Sequence, residues 1–399
     1  MNSFLPYSRQ CIEDDDIQAV LKALKGEYLT TGPAVEAFEK ELAAKVGARF
    51  AVAVCNGTAA LHCAVMALRL PKGSLGITSP NTFVASSNAL LFESHRVGFC
   101  DIESKSGNVD PDLLEDRMNL DSPGVVIPVH FAGQPCEMNQ ISAIARKKGI
   151  AIIEDASHAL GSRYAEGSLV GSCCYSDLTT FSFHPVKNIT CGEGGAITTN
   201  DEMLYERLLQ ARSHGIVRKP EQFQIQSQAF DDHSPDRVNP WYYEMVSLGY
   251  NYRLTDFQAA LASSQLAKVE RFAEKRRSLV AAYAEQLNGI SGLSLLGEQG
   301  QGYSAFHLCV VLVDFQFFGK SRGVVMEELR ELGIGTQVHY IPVHFQPYYR
   351  SHFDESDVSF PAAETYYEQC LSIPLYPQME AQDVSRVVAG IRSVLGVKG

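Results

Sequence analysis

What this chain lacks narrows it first. Its ten cysteines include no C-x-x-C pair, and only Cys173 and Cys174 are neighbours. In a chain of 399 residues without a secretory signal, scattered cysteines of this kind are expected to be reduced thiols. The opening stretch MNSFLPYSRQ has neither a basic n-region nor an apolar h-region, so no signal peptide is expected and the cytoplasm is the expected compartment. No apolar run approaches the length of a membrane span. Basic residues are the minority, 34 Lys and Arg against 46 Asp and Glu, and they form no block. That balance excludes a broad nucleic-acid surface; a small phosphorylated ligand needs only a local pocket. No G-x-G-x-x-G follows the first strand-like run, which leaves a nicotinamide site of that type unsupported. The GKS of DFQFFGKSRG fails as a phosphate-binding loop, because Asp314 stands where a glycine is required, and reads instead as a helix start. His339 and His344 in QVHYIPVHF have no acidic or cysteine neighbour in the sequence, so no metal site is expected.

What is present is alternation. DDDIQAVLKALKG and PAVEAFEKELAAKVG have acids or proline at the start and glycine at the end, as helices do. FAVAVCN (50–56) then reads as a buried strand and TAALHCAVMALRL (58–70) as a helix. LGITSP, RVGFCDI, GVVIPVHF and IAIIEDAS are apolar runs of strand length, with FVASSNALLFE and MNQISAIARKKG as helices between them. This order predicts an α/β domain with a mostly parallel sheet covered by helices, and ligand sites at the carboxyl ends of its strands. Residues 216–245 are polar, proline-punctuated and hold the single tryptophan, Trp241, so a long loop is expected there. Residues 255–288 read as one long helical stretch. The remainder, with FHLCVVLVD, GIGTQVHY and SIPLYP as strands and helices near 320–332 and 380–395, reads as a smaller α+β domain. The expected division is 12–260 and 261–399, with 1–11 near the active site.

Four stretches carry chemistry. In CNGTAALH (55–62) a strand meets a helix at Asn56-Gly57-Thr58, which suits either an anion site or a plain helix cap by Thr58. In IIEDASHALGS (152–162) a buried strand ends at Glu154-Asp155, with His158 three residues on; Asp155 suits either a ligand site or a turn. In FSFHPVKNITCGEGG (181–195), Ser182, His184 and Lys187 leave a strand just before a glycine corner, and Lys187 is either a solvated charge or a held nucleophile. In SLGYNYRLTDFQAALA (247–262), Asn251 and Arg253 stand before a helix, as caps or as ligands. One chemistry suits all of them. A lysine can form a Schiff base with pyridoxal 5′-phosphate, a glycine-opened helix start and Ser182 can hold its phosphate, Asp155 can pair with its ring nitrogen, and Phe83 of SPNTFVASSNA can stack on its ring.

The order of these motifs, together with RSHGI and GIGTQVHY, resembles the fold-type I pyridoxal-phosphate sugar aminotransferases of the DegT/DnrJ/EryC1/StrS family over nearly the whole chain. The resemblance implies that Lys187 is the cofactor-attaching lysine and proton shuttle. It implies that Asp155 pairs with the pyridinium, Phe83 stacks on the ring and His158 lies beside its phenolic edge. Gly57, Thr58, Ala59 and Ser182 are implied at the phosphate, with Asn251 completing that site from a neighbouring subunit, hence a homodimer with shared active sites. Tyr7 and the EYLT segment (Glu27, Tyr28, Leu29, Thr30) match positions facing the sugar nucleotide, and His184, Arg253, His339 and Tyr340 are also placed on the substrate side. FSFHPVK, SHGIV, LGYNYRL and QVHY resemble the branch that moves the amino group of L-glutamate to C4 of a UDP-linked 4-keto-6-deoxy-N-acetyl-hexosamine in pseudaminic acid biosynthesis. VKNITCGEGG also resembles enzymes that aminate a UDP-4-keto-pentose for lipid A modification. The chain departs from the first branch in the insertion before Asn251 and at FHLCVVLVD.

Overall fold

A computed structural model describes residues 4–231, 234–297, 302–352 and 359–397. Its central sheet has seven strands: β1 (Phe50–Val54), β2 (Leu75–Thr78), β3 (Arg96–Phe99), β4 (Val125–Ile127), β5 (Ala151–Asp155), β6 (Leu178–Ser182) and β7 (Gly195–Thr199). They lie in the order β1-β7-β6-β5-β4-β2-β3. The run from β3 to β6 is parallel throughout, and β7 is inserted antiparallel between β6 and β1. The strands read as near-continuous apolar runs because both faces are covered. Phe38, Leu42, Phe181 and Phe183 fill one face; Leu61, Leu90 and Ile127 fill the other. Each such side chain contributes about 1.5–3 kcal/mol on burial.

Residues 293–397 add a smaller α+β unit. Its antiparallel sheet joins Leu293–Leu295, Cys309–Val313 and Cys370–Ile373. Helices Arg322–Glu331 and Ala381–Val394 pack on that sheet through Leu329, Val387 and Ile391. Ser321 of the GKS stretch caps the first of these helices. The helix Val269–Leu287 belongs to both parts: Val269 and Phe272 lie in the core of the large sheet, Leu279, Tyr283 and Leu287 in that of the small one. The N-terminal segment is strapped to the small unit. Leu5 exchanges backbone hydrogen bonds with Gly333 and Gly335 (2.9 and 2.7 Å), and Tyr7 O accepts from Leu375 N at 2.9 Å. The same segment then crosses to the large unit, where Ser8 Oγ donates to Val186 O at 3.2 Å.

Three sequence expectations are corrected. The stretch 255–288 is two helices, Asp256–Leu266 and Val269–Leu287, with no proline or glycine at the break. The chain bends at Lys268, whose buried ammonium is held by Asp15 and Asp16 at 2.6 and 2.7 Å, a tertiary tie that local sequence does not announce. GIGTQVHY forms no strand; Ile334 and Gln337 make only single bridges, to Leu5 and Ser372 on opposite sides. The stretch 216–245 is no plain loop. It holds short strand pairs, Ile216–Val217 with Glu244–Met245 and Phe230–Asp231 with Ser234–Val238, over a small core of Val217, Phe223 and Ala229. Residues 232 and 233 lie outside the described residues. All ten cysteines are free thiols in the structure.

Candidate active site

The site forms where β1, β5 and β6 end. At the end of β1 the helix Gly57–Leu68 begins, and its cap is Asn56 rather than Thr58: Asn56 Oδ1 accepts from Ala59 N at 2.8 Å, and Asn56 O from Ala60 N at 3.1 Å. This leaves the Gly57 and Thr58 N–H groups as the donors without a partner among the described residues, at the positive end of a helix. Ser182, at the end of β6, lies against them. A Cβ on Gly57 would stand 2.8 Å from Ser182 Cβ and 3.1 Å from its Oγ, so only glycine permits this approach.

Asp155 ends β5. It is buried, yet among the described residues its carboxylate receives only neutral donors: Ser86 Oγ on Oδ2 at 2.7 Å and Ser157 N on Oδ1 at 3.1 Å. A buried carboxylate supplied this sparsely calls for a cation. Lys187 follows β6 after a turn in which its N–H donates to His184 O at 2.8 Å. Burial brings its ammonium down from the ordinary 10.5 to about 8, while the Asp155 charge works the other way. Desolvation, and not a neighbouring charge, does the lowering. An amine that titrates near 8 is available as a nucleophile close to neutral pH.

A row of rings closes the far side. Tyr340 lies 6.1 Å from Phe83 between ring centres, and its hydroxyl is 3.2 Å from His158 Nε2. Burial, with Asp155 and Tyr7 charge behind it, keeps the Tyr340 hydroxyl protonated. Burial and the Lys187 charge push His158 well below its ordinary value, so the ring is neutral. With Nε2 facing the Tyr340 hydroxyl, the other ring nitrogen, Nδ1, is a buried atom with no hydrogen-bond partner among the described residues. His339 is pushed down to about 3 by burial and by Lys187; its Nδ1 is 2.8 Å from Ser372 Oγ, and Tyr7 lies 5.2 Å from its ring. Phe83 is 57% exposed, an aromatic face left open in an otherwise packed wall.

Not every expected residue joins this cluster. Glu27, Tyr28, Leu29, Thr30, His184 and Asn251 are exposed. The 27–30 stretch is pinned by Leu29 O, which accepts from Asp256 N at 3.0 Å, and Asn251 bridges to Ser213. Arg253 runs beside Val54 at the end of β1, its Nε buried without a hydrogen-bond partner among the described residues, and lines a cleft of about 570 Å³ with Thr31, His214 and Arg218. His344 does have an acid in reach, Glu364 at 3.3 Å, which the sequence distance concealed. Two residues next to the cluster escaped sequence reasoning: Ser86, which touches Asp155, and His307, whose ring lies 4.3 Å from that of His158. Neither gave a distinct signal: Ser86 is one of three consecutive polar residues, with Ser87 and Asn88, in the helix Ala85–Phe92.

A family model described as the DegT/DnrJ/EryC1/StrS aminotransferase family matches residues 10–392. The chain belongs to that family. It is 39% identical over 399 residues to the spore coat polysaccharide biosynthesis protein SpsC of Bacillus subtilis, covering 100% of this chain and 98% of that one. Among solved structures it is similar to PseC of Helicobacter pylori, an aminotransferase of pseudaminic acid biosynthesis (TM-score 0.89, 28% identity, 99% of this chain and 100% of that one). It is also similar to Spr1654 of Streptococcus pneumoniae, described as a sugar aminotransferase and solved in its PMP form (TM-score 0.86, 26% identity, 98% of this chain and 99% of that one) and in a PLP form. The fold is therefore fold-type I, and the protein is a sugar aminotransferase that depends on pyridoxal 5′-phosphate. The residues present fit that cofactor: free helix-start N–H groups for a phosphate, an underserved buried carboxylate for a protonated ring nitrogen, an unpaired His158 Nδ1, and the open face of Phe83.

Proposed function

We propose that this enzyme transfers the amino group of L-glutamate to C4 of a UDP-linked 4-keto-6-deoxy-N-acetyl-hexosamine, giving a 4-amino sugar nucleotide of the pseudaminic acid type. The observation that carries this reading is Lys187, an amine brought down to about 8 by burial, near enough to the sparsely paired Asp155 to feel its charge. When bound, pyridoxal 5′-phosphate supplies the carbon that carries the amino group and a ring that withdraws electrons from the substrate carbon. Lys187 Nζ would anchor that carbon and would take and return the proton at the substrate carbon. Asp155 would pair with the ring nitrogen, Gly57, Thr58 and Ser182 would hold the phosphate, and Phe83 and His158 would line the ring. Ala59 supports the grip through its bond to Asn56 rather than through a free N–H. The neutral rings of Tyr7, His339 and Tyr340 wall the pocket where the sugar enters. In this reading the enzyme is a homodimer. Asn251 of the partner subunit completes the phosphate grip, while Glu27–Thr30, His184 and Arg253 meet the sugar nucleotide. The exposure of Asn251, Glu27–Thr30 and His184 within a single chain agrees with such a shared site. The choice of sugar rests on the similarity to PseC over 99% of the chain.

A half-reaction experiment tests this. The purified enzyme is converted with L-glutamate, freed of excess donor, and offered single keto-sugar nucleotides while its visible band is followed. The band is expected to return with the UDP-linked 4-keto-6-deoxy-N-acetyl sugar. Return only with the UDP-4-keto-pentose would keep the reaction and overturn the substrate.

A further inference from the structure

Ser86 and Thr82 form a buried relay onto Asp155. Ser86 is 0% exposed and Thr82 2%. Ser86 Oγ lies 2.7 Å from Asp155 Oδ2 and 3.4 Å from Phe83 O, and Thr82 Oγ1 lies 2.8 Å from Ser86 Oγ. An ionised carboxylate accepts only, so the Ser86 proton points at Asp155. The Ser86 oxygen must then accept at its other side, and the Thr82 hydroxyl is the donor that reaches it. Two hydroxyls thus point the same way along a chain that ends on the carboxylate, each polarising the next. Ser157 N holds the other oxygen of Asp155, so the carboxylate plane is fixed from two sides.

We infer that Ser86, backed by Thr82, is a positioning residue for the reaction. It keeps Asp155 turned toward the cofactor's ring nitrogen, and so sets the cofactor's affinity. The inference rests on Asp155 as the partner of the ring nitrogen. Without the Ser86 donor the carboxylate loses one of the two bonds that fix its plane, so cofactor binding weakens. The other titratable groups about Asp155 are Lys187, Tyr340 and His158 on the cleft side and Glu154, His130 and Cys136 behind it. None of their own hydrogen bonds involves Ser86 or Thr82.

The test measures the dissociation constant of pyridoxal 5′-phosphate by equilibrium dialysis near neutral pH for the natural chain, Ser86→Ala, Thr82→Val, Thr82→Ser and Asp155→Asn. Ser86→Ala is expected to bind about tenfold more weakly. Thr82→Val should weaken binding by less, and Thr82→Ser, which keeps the hydroxyl, should bind as the natural chain does. Unchanged affinity in Ser86→Ala and Thr82→Val, with Asp155→Asn impaired, would overturn the relay and leave the Asp155 assignment standing. Natural affinity in Asp155→Asn would overturn the assignment itself. If Ser86→Ala does not fold, Thr82→Val decides.

Discussion

Glu154 and Asp155 are neighbours at the end of β5, and both are buried, but they point to opposite faces and meet opposite surroundings. Glu154 is saturated. His130 Nε2 donates to it at 2.8 Å and Thr179 Oγ1 at 3.1 Å, and the hydroxyls of Tyr164 and Ser176 also donate to it. His130 Nδ1 accepts from Cys136 N at 3.0 Å, which fixes its proton on Nε2. Burial opposes the Glu154 charge, yet these bonds, His130 first among them, hold its carboxyl below the ordinary value. Among the described residues Asp155 has two neutral donors, and the Lys187 amine is near enough to feel its charge. A buried acid given all its partners is a structural element; one left short is prepared for a cation brought from outside.

The comparison breaks most visibly at Lys187. Lys187→Ala is expected to lower transamination by more than about a thousandfold while the far-ultraviolet circular dichroism stays natural, because the cleft side carries chemistry and not the fold. An active variant would remove the assignment. On the other face, Glu154→Gln should cost about 2–4 kcal/mol of stability, since an amide cannot accept from so many hydroxyl and imidazole donors. Chemical denaturation of the apoenzyme measures that cost. The loss should also show in pH: with a lowered folded-state pKa, Glu154 contributes stability fully above the ordinary glutamate value, and that contribution fades as pH falls through the lowered one. Glu154→Gln should therefore flatten the acid arm of the stability profile.

How much of this was legible beforehand differs between the two faces as well. Lys187, Asp155 and the Gly57 turn stood out because each pairs a chemically distinctive residue with a break in apolar periodicity. The alternating strands and helices gave the sheet for the same reason. The Glu154 network was not legible, because its partners come from residues 130, 164, 176 and 179, joined only by the fold. The break at Lys268 and the single bridges of Ile334 and Gln337 escaped for that reason too: distant side chains and backbone groups decide them, against local propensity. The 27–30 stretch was legible only through family resemblance, and Asn251 read equally well as a cap; their exposure in one chain offers no local signal of use.

Two smaller effects sharpen the contrast. The unfolded chain keeps the Lys187 proton up to 10.5, whereas the folded apoenzyme releases it at about 8, so stability is expected to rise as pH climbs through that interval. Lys187→Met should abolish this rise and stabilise the apoenzyme at neutral pH by on the order of 1–2 kcal/mol, read from denaturation midpoints across pH. Gly57→Ala should weaken cofactor binding by about 1 kcal/mol, as the added methyl pushes against Ser182 at the phosphate grip. Fluorescence titration of the apoenzyme would measure it, and unaltered binding would mean that Gly57 and Ser182 do not form the grip.

The most direct test pairs the two acids. Cofactor affinity and apoenzyme melting temperature are measured side by side for Asp155→Asn and Glu154→Gln. The account predicts that Asp155→Asn binds pyridoxal 5′-phosphate about a hundredfold more weakly while melting near the natural temperature, and that Glu154→Gln melts earlier while binding it normally once folded. Natural affinity in Asp155→Asn, or equal losses of affinity in both variants, would contradict the division of labour between the two faces of β5.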